Sequence, residues 1–351
     1  MKSSETLPLA LGLVLFSFLI TSILIVPFIN LLYKFKLTRQ KEAPKKGKIP
    51  LFDKLHDKKA GTPVGGGILL IGVVTILFYL LFPFSSHMGV YIRSSFDFKT
   101  ELFTIFFTFI SFGILGLSDD IMKIFGKPKP GIAGFWFGMT RKTKFILQWI
   151  LALIVGWVLY AKLGIQFLHI PLIDNTINMG PFFIFFSAFV IVAFSNAFNI
   201  TDGLDGLAPG LLTICLIAFG AISASNLDTP LSLFIALLVG SLIAFLYFNV
   251  WPARIILGDT GALSFGATLG VIGLLTGSIF ALLVIGGLFV IEITSSAIQI
   301  FGWKVLKRPI FKLAPIHHTF LAIGWEEPKI VMRAWLAGII LAIFGMWLAT
   351  I

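Results

Sequence analysis

Ten runs of predominantly apolar residues follow one another along this chain of 351 residues. A helix needs about 20 such residues to cross the roughly 30 Å hydrocarbon core of a bilayer. Only 12% of the residues are charged and 58% are hydrophobic, whereas a soluble domain has about 25% charged residues. So little polar surface cannot cover a water-facing globule. The sequence therefore predicts an all-α, polytopic membrane protein and excludes a cytosolic enzyme, a disulfide scaffold and a disordered chain.

The boundaries of the predicted spans follow the polar breaks between the apolar runs. Only the Thr-Gly-Ser turn at 276–278 separates the eighth span from the ninth. We interpret residues 1–351 as a single integral membrane domain. The spans are centred in residues 9–33, 64–83, 101–118, 145–163, 181–199, 207–224, 230–249, 260–276, 279–300 and 333–350.

The distribution of Lys and Arg predicts the orientation. One side holds 23 of the 27 basic residues: ten in the loop 34–62, six in 119–144, one in 250–259 and six in 301–333. Because cytoplasmic loops carry the basic excess, this side is expected to face the cytoplasm from the inner (plasma) membrane, with both termini outside. The net charge of +11 then follows from topology and does not indicate a nucleic-acid partner.

Two features of the loop 34–62 leave alternatives open. Its lysines either bind anionic membrane lipids or act only as a topogenic signal. The run Gly65-Gly66-Gly67 opens the second span. Glycines there allow close approach of the backbone either to a ligand or to a neighbouring helix.

Five aspartates lie at the predicted cytoplasmic ends of spans, where a charged side chain is costly and indicates function. Asp119 and Asp120 follow the third span, Asp202 and Asp205 lie between the fifth and sixth, and Asp259 follows the seventh. Adjacent carboxylates at a low-dielectric boundary repel one another, so they either share a proton or hold a cation. Mg²⁺ binds one or two protein carboxylates and leaves its other positions to water and phosphates. The pattern therefore predicts a Mg²⁺ site.

Other polar residues extend this predicted site. Lys123 lies on the helix face of the paired aspartates and either pairs with them or binds a phosphate. Asn196, Asn199, Asp202 and Asp205 repeat every third residue, which places them along one slowly drifting face. This spacing predicts a polar shelf for a flat ligand, and the alternative is a solvated turn between two helices.

The loop 301–333 contains the adjacent histidines His317 and His318. Phosphate contact, proton transfer and metal ligation are all open for them. Glu292, inside the ninth span, has no local partner in the sequence, so we predict an interhelical hydrogen bond rather than catalysis. Carboxylates for Mg²⁺, cations for phosphate and a polar shelf together suit phosphoryl transfer between a nucleotide and a lipid phosphate.

Four motifs occur in the order found in the polyprenyl-phosphate N-acetylhexosamine-1-phosphate transferases, which the chain resembles from about Thr62 to Trp335. The last loop, with Gly324-Trp325 and Glu327-Pro328, is most similar to the phospho-N-acetylmuramoyl-pentapeptide transferases within that superfamily. The motifs are Ser118-Asp-Asp-x-x-Lys123, Asn199-Ile-Thr-Asp-Gly-Leu-Asp-Gly206, Leu257-Gly-Asp259 and Ala314-Pro-Ile-His-His318.

The resemblance implies transfer of phospho-N-acetylmuramoyl-pentapeptide from UDP-MurNAc-pentapeptide to undecaprenyl phosphate, which gives lipid I and UMP in peptidoglycan synthesis. It implies that Asp259 binds Mg²⁺, that Asp119 and Asp120 orient or deprotonate the lipid phosphate, and that His317 and His318 contact the donor's phosphates. It also implies a homodimer. The positions that match the family's nucleotide and phosphate site are Lys59, Lys123, Lys144, Asn199, Asp202, Asp205 and Asn249.

The chain departs from the family pattern at two positions. Thr319 stands where a third histidine is usual, and Ile256 stands where a Phe commonly stacks on uracil, a contact worth about 1–3 kcal/mol in nucleic-acid examples.

The lipid phosphate attacks either directly or through a phospho-Asp intermediate. One alternative is a UDP-GlcNAc:undecaprenyl-phosphate GlcNAc-1-phosphate transferase for teichoic acid or O-antigen. Another is a membrane transporter, whose acidic residues would lie near the midplane.

Overall fold

The structure, a computed structural model, describes residues 6–39, 59–84, 92–125, 139–173 and 175–351. The portions 40–58 and 126–138 of the predicted loops 34–62 and 119–144 lie outside the described residues. A hairpin of β1 (Phe167–Ile170) and β2 (Asn175–Asn178) follows the fourth helix. The helices are α1 (Thr6–Lys34), α2 (Gly66–Leu81), α3 (Phe98–Phe125), α4 (Arg141–Ala161), α5 (Phe183–Thr201), α6 (Leu207–Ser225), α7 (Thr229–Asn249), α8 (Gly258–Leu275), α9 (Ile279–Ile285), α10 (Gly287–Phe301), α11 (Ile316–Ala322) and α12 (Glu327–Leu348).

The predicted number of spans is confirmed, because ten helices of the described chain are long and apolar enough to cross a membrane. Helix α3 continues past the paired aspartates to Phe125, and an ion pair between Asp119 and Lys123 links its last turns. One local prediction is wrong. The ninth span is two helices, α9 and α10, which break at Gly286, where a Cβ atom would lie 2.7 Å from the ring of Phe194.

The hairpin is a further departure from the predicted all-α class. β1 and β2 are antiparallel, and Phe167 pairs with Asn178 in their register. The four residues of β2, Asn-Thr-Ile-Asn, are all exposed and include one apolar side chain, so the segment lacks an apolar run that would predict it. The fold is otherwise helical throughout the described ranges.

Helix α8 lies at the centre of the bundle and packs against α2, α3 and α5. Every residue of α8 except Asp259 is buried. Two glycines let its neighbours approach closely: Gly116 of α3 lies against the Asp259 carbonyl, and Gly67 of α2 lies against the backbone of Gly261. Small residues at such crossings allow helix backbones to pack tightly within a membrane. The packing of α8 therefore brings the end of α3 next to Asp259.

The glycine run at the start of α2 serves a protein contact. The Ile256 carbonyl accepts hydrogen bonds from the N–H groups of Gly65 (3.1 Å) and Gly66 (3.0 Å), and the Leu257 carbonyl accepts one from Gly67 (2.9 Å). These N–H groups are the unpaired donors that open a helix, and the segment before α8 satisfies them. Of the two roles left open by the sequence, the structure supports contact with a neighbouring element.

Two glycines of α2 allow a matched test of this packing. A Cβ atom at Gly67 would meet backbone atoms of Gly261, whereas one at Gly72 has nothing within 4 Å. We expect Gly67→Ala to lower the free energy of unfolding by about 1–3 kcal/mol, because overpacking forces the helices apart. Gly72→Ala is expected to be neutral or stabilising, by at most about 1 kcal/mol. The midpoints of thermal unfolding in detergent measure both effects, and equal midpoints would contradict the close approach of α2 and α8.

Candidate active site

Two carboxylates and two ammonium groups meet where α3, α4 and α8 converge. With one amide they form the acid–lysine cluster: Asp119, Lys123, Lys144, Asn199 and Asp259. Lys123 Nζ lies 2.8 Å from Oδ2 of Asp259 and 3.0 Å from Oδ2 of Asp119. Lys144 Nζ lies 2.9 Å from Oδ2 of Asp119 and also contacts Oδ2 of Asp259. Asn199 Nδ2 donates to Oδ1 of Asp259 at 3.2 Å. The two lysines thus bridge the same two carboxylates and offset the repulsion between them.

Asp120 has a different role from its neighbour. Its Oδ1 accepts a hydrogen bond from the Asp259 N–H at 3.0 Å, and its Oδ2 accepts from Thr260 through the N–H at 2.9 Å and the hydroxyl at 2.7 Å. Asp120 therefore caps the N-terminus of α8, where a carboxylate is also favoured by the helix dipole. The two side chains thus point to different partners, and the expectation that the adjacent carboxylates share a proton or hold a cation stays a prediction.

The polar shelf predicted from the spacing of three residues is divided among separate contacts. Asn196 donates to Gln148 Oε1 of α4 at 2.8 Å and so holds two helices together. Asn199 joins the acid–lysine cluster, and Asp205 contacts Lys59. The shelf is not one surface because α5 ends at Thr201 and the chain then turns.

Lys59, Asp205 and Glu327 form a second charged group, the Lys59 triad. Lys59 Nζ lies 2.7 Å from Oδ1 of Asp205 and 2.7 Å from Oε1 of Glu327, and it donates to the Gly203 carbonyl at 3.2 Å. Glu327 also accepts a hydrogen bond from the Asp205 N–H at 2.6 Å. The triad thereby attaches the turn 202–206 to the start of α12.

Three of the residues that the sequence singled out have structural contacts. Asn249 accepts a hydrogen bond from the Gly206 N–H at 3.1 Å and donates to the Ile255 carbonyl at 2.9 Å. Thr319, at the place of the family's third histidine, donates its hydroxyl to the Leu313 carbonyl. Ile256 lies in the strand-like contact with Val64. The side chains of Asn249 and Thr319 therefore stabilise the loops around the site.

The Asp202 carboxylate stands apart from these groups. Among the described residues, no hydrogen bond or ion pair engages it. Burial raises the pKa of Asp202 to about 7; Asp259 and Asp205 add to this shift, whereas Lys59 and Arg39 oppose it. Asp202 is therefore a carboxyl group that gains or loses a proton close to neutral pH.

The histidines lie beside the turn 202–206. His317 and His318 are 1% and 3% exposed, and their ring centroids are 4.1 Å apart. His317 Nδ1 lies 3.0 Å from Oε2 of Glu292, which projects from α10. The predicted interhelical hydrogen bond of Glu292 is confirmed, and its partner is an imidazole from α11.

The donor set of the acid–lysine cluster fits Mg²⁺ held partly by substrate. The described residues contain no group of three or more His, Cys, Asp or Glu side chains arranged to hold a metal ion, so a cage made of protein ligands alone is absent from them. Mg²⁺ is commonly bound by one or two carboxylates together with water and substrate phosphates. Asp259 and Asp119 offer such oxygens, and the two ammonium groups now against them already supply a double positive charge.

Sequence reasoning missed Glu327 and Thr260 as members of the site. Glu327 lies in the first turn of α12, where an acidic residue is ordinary because it complements the helix dipole. Thr260 is a small residue between two glycine-containing segments. Glu327 belongs to the Glu327-Pro328 motif that carries the resemblance, which was the signal available for it, and Thr260 offered none beyond its place after Asp259.

We expect Asp120→Ala to lower both stability and turnover. Loss of the cap leaves three donors of α8 without a partner, which costs about 2 kcal/mol in unfolding free energy, and it releases Asp259 from its position. The matched control is Asp97→Ala, since Asp97 caps α3 at the other end of the bundle by accepting from the Thr100 N–H at 3.0 Å. That variant should keep full turnover. An unchanged midpoint of thermal unfolding in Asp120→Ala would contradict the capping role.

Comparison with known proteins agrees with this geometry. Residues 102–277 match the family model described as glycosyl transferase family 4, a range that includes every member of the acid–lysine cluster. The chain is 33% identical over 339 residues to a phospho-N-acetylmuramoyl-pentapeptide-transferase of Geobacillus sp. (strain WCH70), across 95% of this chain and 96% of that protein. Proteins of the same name from Rickettsia canadensis (strain McKiel) and Rickettsia prowazekii (strain Madrid E) are 39% and 36% identical, over 83% and 93% of this chain and 80% and 88% of theirs. The chain therefore belongs to glycosyl transferase family 4.

Proposed function

We propose that this protein transfers phospho-N-acetylmuramoyl-pentapeptide from UDP-MurNAc-pentapeptide to undecaprenyl phosphate, which yields lipid I and UMP. The observation that carries the proposal is the acid–lysine cluster, built from the ends of membrane-spanning helices. A cluster at the end of a span is accessible to a soluble nucleotide and to a lipid phosphate at the same time. The names of the similar proteins support the MurNAc-pentapeptide donor over the GlcNAc donor.

The position of the charges argues against a transporter. In the described chain, Asp119 and Lys123 lie near the C-terminal end of α3, Lys144 near the N-terminal end of α4 and Asp259 in the first turn of α8. Transporters place their coupling sites near the midplane of the bilayer. Charges at helix ends instead suit a surface reaction between molecules from two phases.

The chain's own residues have distinct parts in the proposed reaction. Lys123 and Lys144 neutralise the phosphates of donor and acceptor, which removes the repulsion that keeps two anions apart. Asp119 fixes both ammonium groups, since it contacts Lys123 and Lys144. Asp259 and Asp119 would hold Mg²⁺, and the ion would supply charge neutralisation at the leaving phosphate oxygens.

The proposed step is a phosphoryl transfer with a balanced exchange of bonds. An oxygen of undecaprenyl phosphate forms a bond to the β-phosphorus of the donor. The bond between that phosphorus and the bridging oxygen breaks, and UMP leaves with the electron pair. The active end of the bundle faces the cytoplasm of the inner membrane in this proposal, in keeping with the excess of Lys and Arg in the loops on that side. The homodimer stays a prediction.

Purified protein in detergent, supplied with undecaprenyl phosphate and one UDP-sugar at a time, tests the donor. We expect UMP release and a lipid-linked product with UDP-MurNAc-pentapeptide and none with UDP-GlcNAc. Turnover with UDP-GlcNAc alone would replace the donor in this proposal by that of the alternative enzyme. Solute uptake into proteoliposomes without UMP release would contradict a transferase altogether.

Removal of Mg²⁺ tests the metal. We expect chelation to abolish turnover of the wild-type protein and added Mg²⁺ to restore it. Asp259→Asn should lower kcat by about 100-fold or more, the scale expected for losing one preorganised electrostatic contact at the reacting centre, and extra Mg²⁺ should not restore it. Asp97→Asn, an exposed change at the opposite end, serves as the control. An Mg²⁺ dependence of Asp259→Asn equal to that of the wild type would contradict the assignment of Asp259.

A further inference from the structure

Glu292 and His317 form a buried pair that the proposed reaction has not yet used. His317 Nδ1 and Oε2 of Glu292 are 3.0 Å apart, and the side chains are 1% and 9% exposed. A carboxylate only accepts hydrogen bonds, so the contact places a proton on Nδ1. The pair joins α10, which spans the membrane, to α11 at the site.

The other ring nitrogen faces a glycine. His317 Nε2 is buried and has no hydrogen-bond partner among the described residues. A Cβ atom at Gly203 would lie 2.5 Å from Nε2, so the ring edge packs directly against the Cα hydrogens of Gly203. An N–H at this position would be a buried donor with no acceptor among the described residues, whereas an unprotonated Nε2 leaves no donor unpaired. Both sides of the ring therefore favour the same neutral tautomer.

We propose that Glu292 is a positioning residue, which holds His317 as its Nδ1–H tautomer and directs Nε2 to the turn 202–206. This inference rests on the proposed function, and it goes beyond the expectation from the resemblance that His317 contacts the donor's phosphates, because an unprotonated Nε2 accepts hydrogen bonds and does not donate them. The turn is the segment that carries Asp202 and Asp205, and Lys59 holds it through the Gly203 carbonyl. A carboxylate that sets the tautomer and orientation of a histidine is a common support in enzyme sites.

The tautomer is measurable without substrate. The chain contains five histidines, so a ¹⁵N-histidine spectrum of the full protein in detergent is simple enough to assign His317 by its loss in His317→Asn. We expect the wild-type His317 to carry its proton on Nδ1 and Glu292→Ala to lose this preference. A wild-type His317 protonated on Nε2 alone would overturn the proposal, whatever the protein's activity.

A double-mutant cycle tests whether Glu292 acts through His317. We expect Glu292→Ala to lower kcat by about 10–100-fold, the range for losing such a supporting carboxylate, with an unchanged thermal midpoint within a few degrees. In the His317→Asn background the same change should have no further effect, because coupled residues are not additive. An equal loss in both backgrounds would overturn the proposal.

Two further variants keep the test decisive if Glu292→Ala fails to fold. Glu292→Gln preserves the volume of the side chain, and the same cycle applies to it. Glu101→Gln is the matched control, because Glu101 is also a buried glutamate but lies at the opposite end of the bundle, beside Ser94. Full turnover in Glu101→Gln with a loss in Glu292→Gln supports a local role. Absence of lipid-linked product from the wild-type protein would reject the proposed function, and the spectrum would still decide the pair.

Discussion

Asp120 accepts three hydrogen bonds from the first turn of α8, and the geometry of the acid–lysine cluster depends on them. The first N–H groups of a helix need partners, and most of the first turn of α8 is buried in the protein, away from water. The Asp120 carboxylate, on α3, accepts these hydrogen bonds and so fixes α8 relative to α3. Gly116 allows the approach because its missing side chain leaves room for the Asp259 carbonyl. Asp259, the one residue of α8 that is not buried, is thereby held in front of Asp119 and the two lysines.

The charges at this end stabilise one another, and we propose that they also bind anions. A buried carboxylate without a partner is costly. Lys123 and Lys144 offset this cost, because both contact Asp119 and Asp259. These cations also suit a phosphate, since each lysine retains donors beyond those used by the carboxylates. The same arrangement thus stabilises the fold and favours phosphate chemistry. The Lys59 triad holds the neighbouring turn 202–206 by hydrogen bonds, and His317, which pairs with Glu292, packs against Gly203 of the same turn.

The sequence predicts the position of the candidate site because charge is scarce in this chain. An aspartate at the end of a span is informative, and this pattern alone predicts Asp119 and Asp259 as site residues. The number of spans also followed from the apolar runs and is confirmed. The catalytic and binding roles assigned by resemblance stay predictions.

The sequence does not predict that neighbouring residues contact different partners. Asp119 and Asp120 are adjacent in a helix and therefore point in directions about 100° apart, so one meets the lysines and the other meets α8. Spacing alone also did not reveal that Asn196 serves a helix contact while Asn199 joins the cluster. Glu292 was recognised as a hydrogen-bonding group, but its partner His317 lies 25 residues away and is set by the fold.

The most direct test of the account is the position of the metal ion relative to Asp259. Mn²⁺ is a suitable probe because it prefers the same oxygen ligands as Mg²⁺, and its anomalous scattering can be measured from crystals of the protein soaked with Mn²⁺ and the donor. We expect one peak within coordination distance of the Asp259 carboxylate. A peak at the far end of the bundle, or on the histidines and not on Asp259, would contradict the assignment of the acid–lysine cluster as the site of phosphoryl transfer.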